Sequence, residues 1–547
     1  MQRRNLLTGA FVGGLLTAVI MALMYLAQHL FDLAFVPFDA FNWMAGLLPG
    51  PVITFGIDLM IDSMRFLGLD VANSAKTAEQ IMALGQYLVM GIVAGAVFFA
   101  VLKWQQVKTN FMSGLVLGAL FGFPAIAISI GTGSSKVSGL LNFIWLLVVF
   151  LAWGVALVRS YARMVSYDMP AAEATGEQQA PSVEKIDRRR FLILLGLGSA
   201  TITVIGAGLG ALLASSERRE EEAAQGDAMA HNTDGPEGEP FPNADAMVIP
   251  VPGTRPEYTP VKDHYQVFIE LEPTEIDGST WQLPITGMVD NPLMLTLDDF
   301  RNNYEPFNQY VTLSCISGRV GTSLISTTYW TGARVQDVLA DAGVQPDALY
   351  LNITAGDGFY ETVPLDMINA DPRIMFCYAW DGNTLPVGHG FPLRIWLPDR
   401  FGMKQPKWIT SIEVTDTYKE GYWVERNWSE TAQVRTTSVI DTVAVDHIVE
   451  RDGQMYVPVS GIAFSGDRGI SKVEVSVDGG AWEEAQLRTP LSETTWVIWR
   501  YEWPYETGDH TFAVRCYTAE GELQVTEEHP ARPDGSTGIH SVEETIS

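Results

Sequence analysis

Five runs of mostly apolar residues decide more about this chain than any other feature. They fall at 5–27, 81–102, 111–130, 139–158 and 191–214. A run of about 20 such residues can satisfy its backbone in hydrocarbon only by coiling into a helix. Residues 1–165 therefore read as an α-helical, multi-span membrane domain, and 191–214 as a further transmembrane anchor. The stretch 41–69 is apolar too, but Asp58, Asp62 and Arg65 interrupt it at helical spacing. It reads as an interfacial or re-entrant helix, with a sixth span as the alternative.

Basic residues orient the spans. Arg3 and Arg4 hold the N-terminus inside, Lys103 and Lys108 the next inner connection, and Arg159, Arg163, Lys185 and Arg188–Arg190 the loop 166–190. Five spans then carry everything after Ala214 outside, which gives a multi-pass protein of the cell membrane with an extracytoplasmic second half. The last span opens on "DRRRFLILLGLGSA". Arg188 and Arg189 as a pair, Arg190 as spacer and the apolar Phe191 and Leu192 resemble a twin-arginine export signal. On spacing alone an ordinary positive-inside cluster is an equal reading. Residues 215–258, rich in Glu, Gly, Pro and Ala, read as a flexible acidic linker.

From Thr259 the pattern changes to short strands, turns and a few helices. "STWQLPITGMVDNPLMLTLDDF" predicts a strand, a turn at Asp290-Asn291-Pro292 and a helix starting at Thr296 or later. "WTGARVQDVLADAGV" predicts an amphipathic helix with Val335, Val338 and Leu339 inward and Gly343 ending it. "GISKVEVSVDGGAWEEAQL" alternates with period two around a hairpin turn at Asp478-Gly479. Residues from about 445 to 530 read as a small antiparallel sandwich. The formal net charge of -29 excludes a nucleic-acid partner, which needs a basic surface, and suits a basic partner protein. Cysteines number three, Cys315, Cys377 and Cys516, too few for a disulfide framework. Cys377 and Cys516 fall on strands and read as packed thiols. Paired C-x-x-C, H-E-x-x-H and phosphate-loop spacings do not occur.

The stretches "VTLSCISGR", "AGDGFYETVPL", "DGNTLPVGHGFPLRIWLPDRFGMKQPKWI", "DTYKEGYW" and "VSGIAFSGDRGISKVEVSVDGGAW" occur in this order. Together they resemble the sulfite oxidase family of molybdopterin-dependent oxidoreductases. The resemblance implies an α+β molybdopterin-binding domain at 259–440, a C-terminal immunoglobulin-like β-sandwich of dimerisation type at 441–535, and a tail at 536–547. It implies a molybdenum-molybdopterin cofactor with Cys315 as the protein thiolate on the metal, a soft ligand suited to such a centre. Tyr265, Gln266, Asp357, His389, Arg394, Gln405 and Lys407 fall where the family holds the pterin and its phosphate. Tyr418 falls at the active-site tyrosine, and Arg319 at an arginine following the cysteine loop. The arginines with which true sulfite oxidases surround their anion are missing. The early segment reads "KDHYQVFIEL", and Arg319 is followed by Val320. Arg426 and Arg435 are the candidates to replace them.

The leading expectation is two-electron oxygen-atom transfer on a small oxyanion or a sulfoxide. No C-x-x-C-H heme motif is present, so electrons pass to or from a separate carrier, a cytochrome or a membrane quinone system. The chain is expected to form a homodimer through its C-terminal domain. A sulfoxide reductase of the same family and a cofactor-free binding module displayed on the membrane are the competing readings.

Overall fold

The computed structural model describes residues 2–48, positions 52, 55, 56, 59, 60 and 63, and residues 71–104, 109–132, 137–168, 188–229 and 239–547. They fall into two compact units: 1–69 with 74–223, and 70–73 with 224–547.

The first unit is helical: α1 (Gln2–Phe31), α2 (Val36–Leu47), α3 (Val71–Trp104), α4 (Phe111–Thr132), α5 (Gly139–Asp168) and α6 (Arg188–Met229). Five stretches, Leu6–Phe31, Lys76–Leu102, Phe111–Thr132, Gly139–Met164 and Arg190–Leu213, are long and apolar enough to cross a membrane. They coincide with the five expected spans. Glycines let the backbones approach. A Cβ on Gly13 would strike the Gly91–Gly95 turn of α3, and one on Gly154 would strike Gly114 and Gly118 of α4. Trp153 of α5 donates its indole N–H to Thr17 of α1 at 3.1 Å. The stretch 41–69, expected as an interfacial or re-entrant helix, falls in part outside the described residues, and helix α2 ahead of it starts at Val36. The first turn of α2, Val36–Ala40, is buried, while most of 49–70 lies outside the described residues, as do 169–187 of the expected inner loop.

The second unit opens differently from expectation. The segment 215–258 is not uniformly a loose linker. Helix α6 continues to Met229, and residues 243–258 are pinned to the domain that follows. The Arg488 guanidinium donates to both Glu257 carboxylate oxygens (3.1 and 2.9 Å) and to the carbonyls of Ala246, Val248 and Asn243. Arg255 pairs with Asp441 at 2.7 Å. These anchors are backbone carbonyls and distant charges, which composition does not register. Residues 230–238 lie outside the described residues.

Residues 282–415 hold two sheets. One runs β2 (Leu293–Thr296), β1 (Gln282–Gly287), β10 (Ile409–Thr415), β5 (Tyr350–Ala355), β6 (Tyr360–Pro364), with β1 and β10 parallel. The other runs β3 (Phe307–Ser314), β4 (Ile325–Arg334), β7 (Met375–Trp380), β8 (Asn383–Thr384), with β9 (Arg394–Trp396) also on β7. Thr296 caps α7 (Leu297–Asn302) in a reciprocal capping box with Asp299. Helix α8 (Val335–Ala342) buries Val335, Val338 and Leu339 and ends where Gly343 turns left-handed at φ 66°. One core joins the sheets through Leu283, Ile285, Leu351, Phe376 and Ile395. A second cluster, with Trp330, Trp380, Trp396 and the fully buried Cys377, covers the other face of the second sheet.

The C-terminal domain is β-rich: β11 (Thr437–Val443), β12 (Val449–Arg451), β13 (Gln454–Phe464), β17 (Val497–Pro504) and β16 (Gln486–Leu487) form one antiparallel sheet. The other consists of β15 (Glu483–Glu484), β14 (Ile470–Val477), β18 (Gly508–Thr518) and β19 (His540–Ile546). They share a core that holds Cys516. The β14–β15 turn has positive φ at Asp478 (53°) and Gly479 (70°), as a two-residue hairpin requires. Two boundaries differ from expectation. Strand β11 begins before residue 441, and the supposed tail is β19, paired along β18. Glu543 and Glu544 disguise β19 as a tail, yet charge is what an edge strand carries to stop further pairing.

Candidate active site

Cys315 leaves the end of β3. The loop is closed by Cys315 N–H to the Leu324 carbonyl (3.0 Å), Gly318 N–H to the Cys315 carbonyl (3.2 Å) and Thr322 N–H to the Arg319 carbonyl (3.0 Å). The half-buried thiol lies 3.1 Å from the Ser317 hydroxyl. Burial pushes the thiol up from its ordinary range, and Ser317 pulls it partly back. Arg319 is exposed on the outer turn of this loop.

Three further segments converge on the thiol. Thr259 N–H bonds the Thr327 carbonyl (2.9 Å), and Tyr265 N–H bonds the Ser326 hydroxyl (3.3 Å), so residues 259–266 lie along β4. The turn 387–389 presents His389, and β9 presents Arg394. Lys407 donates to the Gly388 carbonyl at 3.1 Å, and its ammonium sits 4.4 Å over the Trp408 ring. The charges of Arg394 and Lys407 bear on both His264 and His389, those of Cys315 and Arg394 on Tyr265, and that of Lys407 on Asp357. Cys315, Tyr265, Gln266, Asp357, His389, Arg394 and Lys407 are thus one neighbourhood, and His264 joins them.

This neighbourhood is built for an anionic, hydrogen-bonding guest. Arg394 is 3% exposed, donates to the His389 carbonyl at 3.0 Å and lies 4.4 Å over the Trp330 ring. Among the described residues no carboxylate is paired with it, and its Nε has no hydrogen-bond partner. A buried guanidinium without a counter-charge is strongly destabilising unless a ligand brings one. Burial pulls His264 down to about 3 and His389 well below its usual range, so both rings are neutral. His264 Nδ1 lies 3.0 Å from the Tyr265 carbonyl, which can only accept. Nδ1 therefore carries the proton, and the buried, unpartnered Nε2 is left as an acceptor. The Gln266 amide nitrogen donates to His389 Nε2 at 3.1 Å. The Tyr265 hydroxyl is likewise buried without a partner. A phosphate for Arg394 and Lys407, and a heterocycle with donors and acceptors for His264 and Tyr265, fit these groups.

Two expected residues have other described contacts. Gln405 is buried and donates to the carbonyls of Leu397 (3.3 Å) and Arg400 (2.8 Å), so it braces its own loop. Tyr418 is partly exposed, with its ring 5.6 Å from that of Tyr350. Burial and Glu430 push its hydroxyl up to about 12. The charges that bear on it are those of Glu430, Glu361 and Glu420. Trp423 and Trp428 pack against the cluster that contains Ile316 and Phe401. Arg426 stacks on Tyr422 at 3.6 Å, and Arg532 on Trp428 at 4.6 Å. Arg435 donates to the Asp534 carbonyl at 2.9 Å. The sequence reading missed Arg532 because it lies more than 200 residues beyond the cysteine, in a stretch without a motif. It also missed the buried pair of Lys404 and Glu361, 2.6 Å apart, with the two side chains 6% and 0% exposed.

Residues 270–423 match the oxidoreductase molybdopterin-binding domain, and 429–527 match the Mo-co oxidoreductase dimerisation domain. This half of the chain thus carries the two domains of a molybdenum oxidoreductase and is similar to the sulfite oxidases. Its cofactor is molybdenum-molybdopterin. Mitochondrial sulfite oxidase of Homo sapiens is 27% identical over 294 residues, 46% of this chain and 54% of the human protein. Nitrate reductase [NADH] 1 of Oryza sativa subsp. japonica is 26% identical over 355 residues, 48% of this chain and 39% of the plant protein. The chain therefore spans about half, or less, of the length of these curated relatives. The crystal structure of the sulfane dehydrogenase SoxCD from Paracoccus pantotrophus covers 55% of this chain and 89% of that one, at 18% identity and a TM-score of 0.46.

Proposed function

We propose a membrane-anchored molybdopterin oxidoreductase that carries out two-electron oxygen-atom transfer on the extracytoplasmic side, in the manner of sulfite oxidases. The observation that carries this reading is the buried, uncompensated Arg394 beside Lys407, in one neighbourhood with the Cys315 thiol. In this reading Cys315 is the protein ligand of the metal. Arg394 and Lys407 grip the pterin phosphate, the first by paired donors and the second as a point charge. Tyr265, Gln266, Asp357 and His389 hold the rest of the cofactor, and Gln405 acts only through its loop. When bound, the cofactor supplies the two-electron redox centre. The chain orients it, keeps the neutral histidines as fixed donors and acceptors, and shields it with the Trp330–Trp380 cluster.

The substrate is a small oxyanion such as sulfite, with Arg426 and Arg532 on the aromatic wall replacing the missing arginines. Fixed cationic donors are what an anionic reactant needs. Trp423, Trp428 and Val320 instead favour a sulfoxide, and this is the second reading. Electrons go to a separate carrier, and the acidic surface favours a basic one. The C-terminal domain, immunoglobulin-like in type, pairs two copies. The five spans, the inner basic clusters and the Arg188–Arg189 pair support export of a loaded domain on a retained anchor.

Metal analysis with pterin fluorescence on purified wild type and Cys315→Ser tests the reading. Near-stoichiometric molybdenum and pterin in the wild type, with a Cys315→Ser protein that folds but does not turn over, is the expected result. Neither metal nor pterin in protein from a cofactor-making host would overturn it. Turnover with sulfite against dimethyl sulfoxide then separates the two substrate readings.

A further inference from the structure

The turn that follows Cys315 is held from a part of the chain that lies beyond both family matches. Gly318 offers its carbonyl to the Ser536 hydroxyl at 2.7 Å. Gly321, at φ 86°, lies flush against the His540 ring, where any Cβ would collide with Nε2. His540 is itself locked. Its Nδ1 accepts the Ile440 N–H at 3.1 Å, and its backbone is in register with Val514 of β18. The segment between is tied down along its length. The Pro533 carbonyl accepts the Ser429 N–H at 3.1 Å, Gly535 packs on the Phe401 ring, and the Gly538 carbonyl accepts the Gln524 amide at 2.8 Å. The strap 531–540 thus joins the cysteine loop to the β-rich domain. The backbone bonds described within the loop, Cys315 N–H to Leu324, Gly318 N–H to Cys315 and Thr322 N–H to Arg319, run between its own residues.

We propose that Ser536 and His540 are positioning residues for Cys315. Bonded and packed onto Gly318 and Gly321, they fix the turn 318–321 and with it the direction in which the thiol points. The C-terminal domain is then part of the active site's geometry as well as a pairing surface. Its strap keeps a half-buried thiol preorganised, which a short surface turn rich in glycine would not do alone. The role rests on the reading of Cys315 as the ligand thiol, but the clamp is measurable without the cofactor.

The experiment uses full-length protein in detergent, prepared without cofactor from a host that cannot make it. Labelling of each cysteine by iodoacetamide is followed by mass spectrometry. Cys377 and Cys516 are 0% exposed and report on global opening, so Cys315 is read against them. Ser536→Ala should speed Cys315 labelling about fivefold, the population change that follows loss of one hydrogen bond. Ser536→Thr, which keeps the hydroxyl, should restore the slow rate, and His540→Ala should exceed Ser536→Ala. In loaded enzyme Ser536→Ala should lower kcat with KM unchanged. Cys315 labelled at the wild-type rate in both alanine variants would overturn the clamp. Where His540→Ala also exposes Cys377 and Cys516, the single-hydroxyl variant decides. Faster labelling in the variants of a protein that takes up no molybdenum would leave the clamp standing and remove the cofactor reading instead.

Discussion

Lys404→Met tests the base of the site, because it strands a carboxylate that has nowhere to go. Lys404 Nζ lies 2.6 Å from Glu361 Oε1, and the two side chains are 6% and 0% exposed. Glu361 keeps only the Thr362 N–H, at 2.8 Å and on the same oxygen, while Oε2 has no partner. Burial already pushes this carboxyl up, and Lys404 offsets part of that. Without Lys404 the carboxyl is forced to bind a proton. From a carboxylate value of about 4.3, protonation at pH 7 costs about 3–4 kcal/mol, at about 1.4 kcal/mol per pH unit. This agrees with the ~3–5 kcal/mol typical of a broken buried pair. The folded variant then binds more protons than the unfolded chain, so its stability falls as pH rises, and the deficit should shrink to about 1 kcal/mol at pH 5. Calorimetry of the detergent-solubilised protein should show the second unit melting about 6–15 °C lower at pH 7. Adding Glu361→Met should recover much of the loss. An unchanged melting temperature, or a deficit that does not narrow from pH 7.5 to 5.5, would refute the reasoning. The pair matters to the site because Glu361 begins next to the Asp357 loop, presses on Gly421 at the foot of the tryptophan wall, and ties both to the 402–408 turn.

Other expectations follow from the same geometry. Arg394→Ala should fold at least as well as wild type in cofactor-free protein, since it removes a buried charge without a counter-ion, but should retain much less pterin; full retention measured by fluorescence would count against a phosphate role. Replacing Arg188 and Arg189 together by lysine should trap the catalytic half inside, read by protease accessibility in intact cells; unchanged export would sink the twin-arginine reading.

Much of the site was legible because the chemistry is carried by single residues in short, ordered motifs. Cys315, Asp357, His389, Arg394 and Lys407 all stand in those motifs, and their charges bear on one shared set of groups. Gln405 and Tyr418 were named from the same motifs and stand differently, since a motif locates a residue along the chain but not the direction of its side chain. His264 lay one residue from a named position and was passed over. Its value shows only when a neutral ring with an unpartnered nitrogen is seen beside two cations.

The sequence by itself determined the five long apolar helices of the first half, the ends of α7 and α8 and the hairpin turn at Asp478-Gly479. All of these follow from local periodicity, length and turn chemistry, which act over a few residues. Only the tertiary structure decided what was distant in the chain. It brought Glu361 to Lys404, Arg532 to Trp428, Arg488 to a supposed linker, and Ser536 and His540 to the cysteine loop. Contacts of this kind depend on shape and burial across 40 to more than 200 residues. A charge or a hydroxyl looks the same in sequence whether it faces water or holds an active site in place.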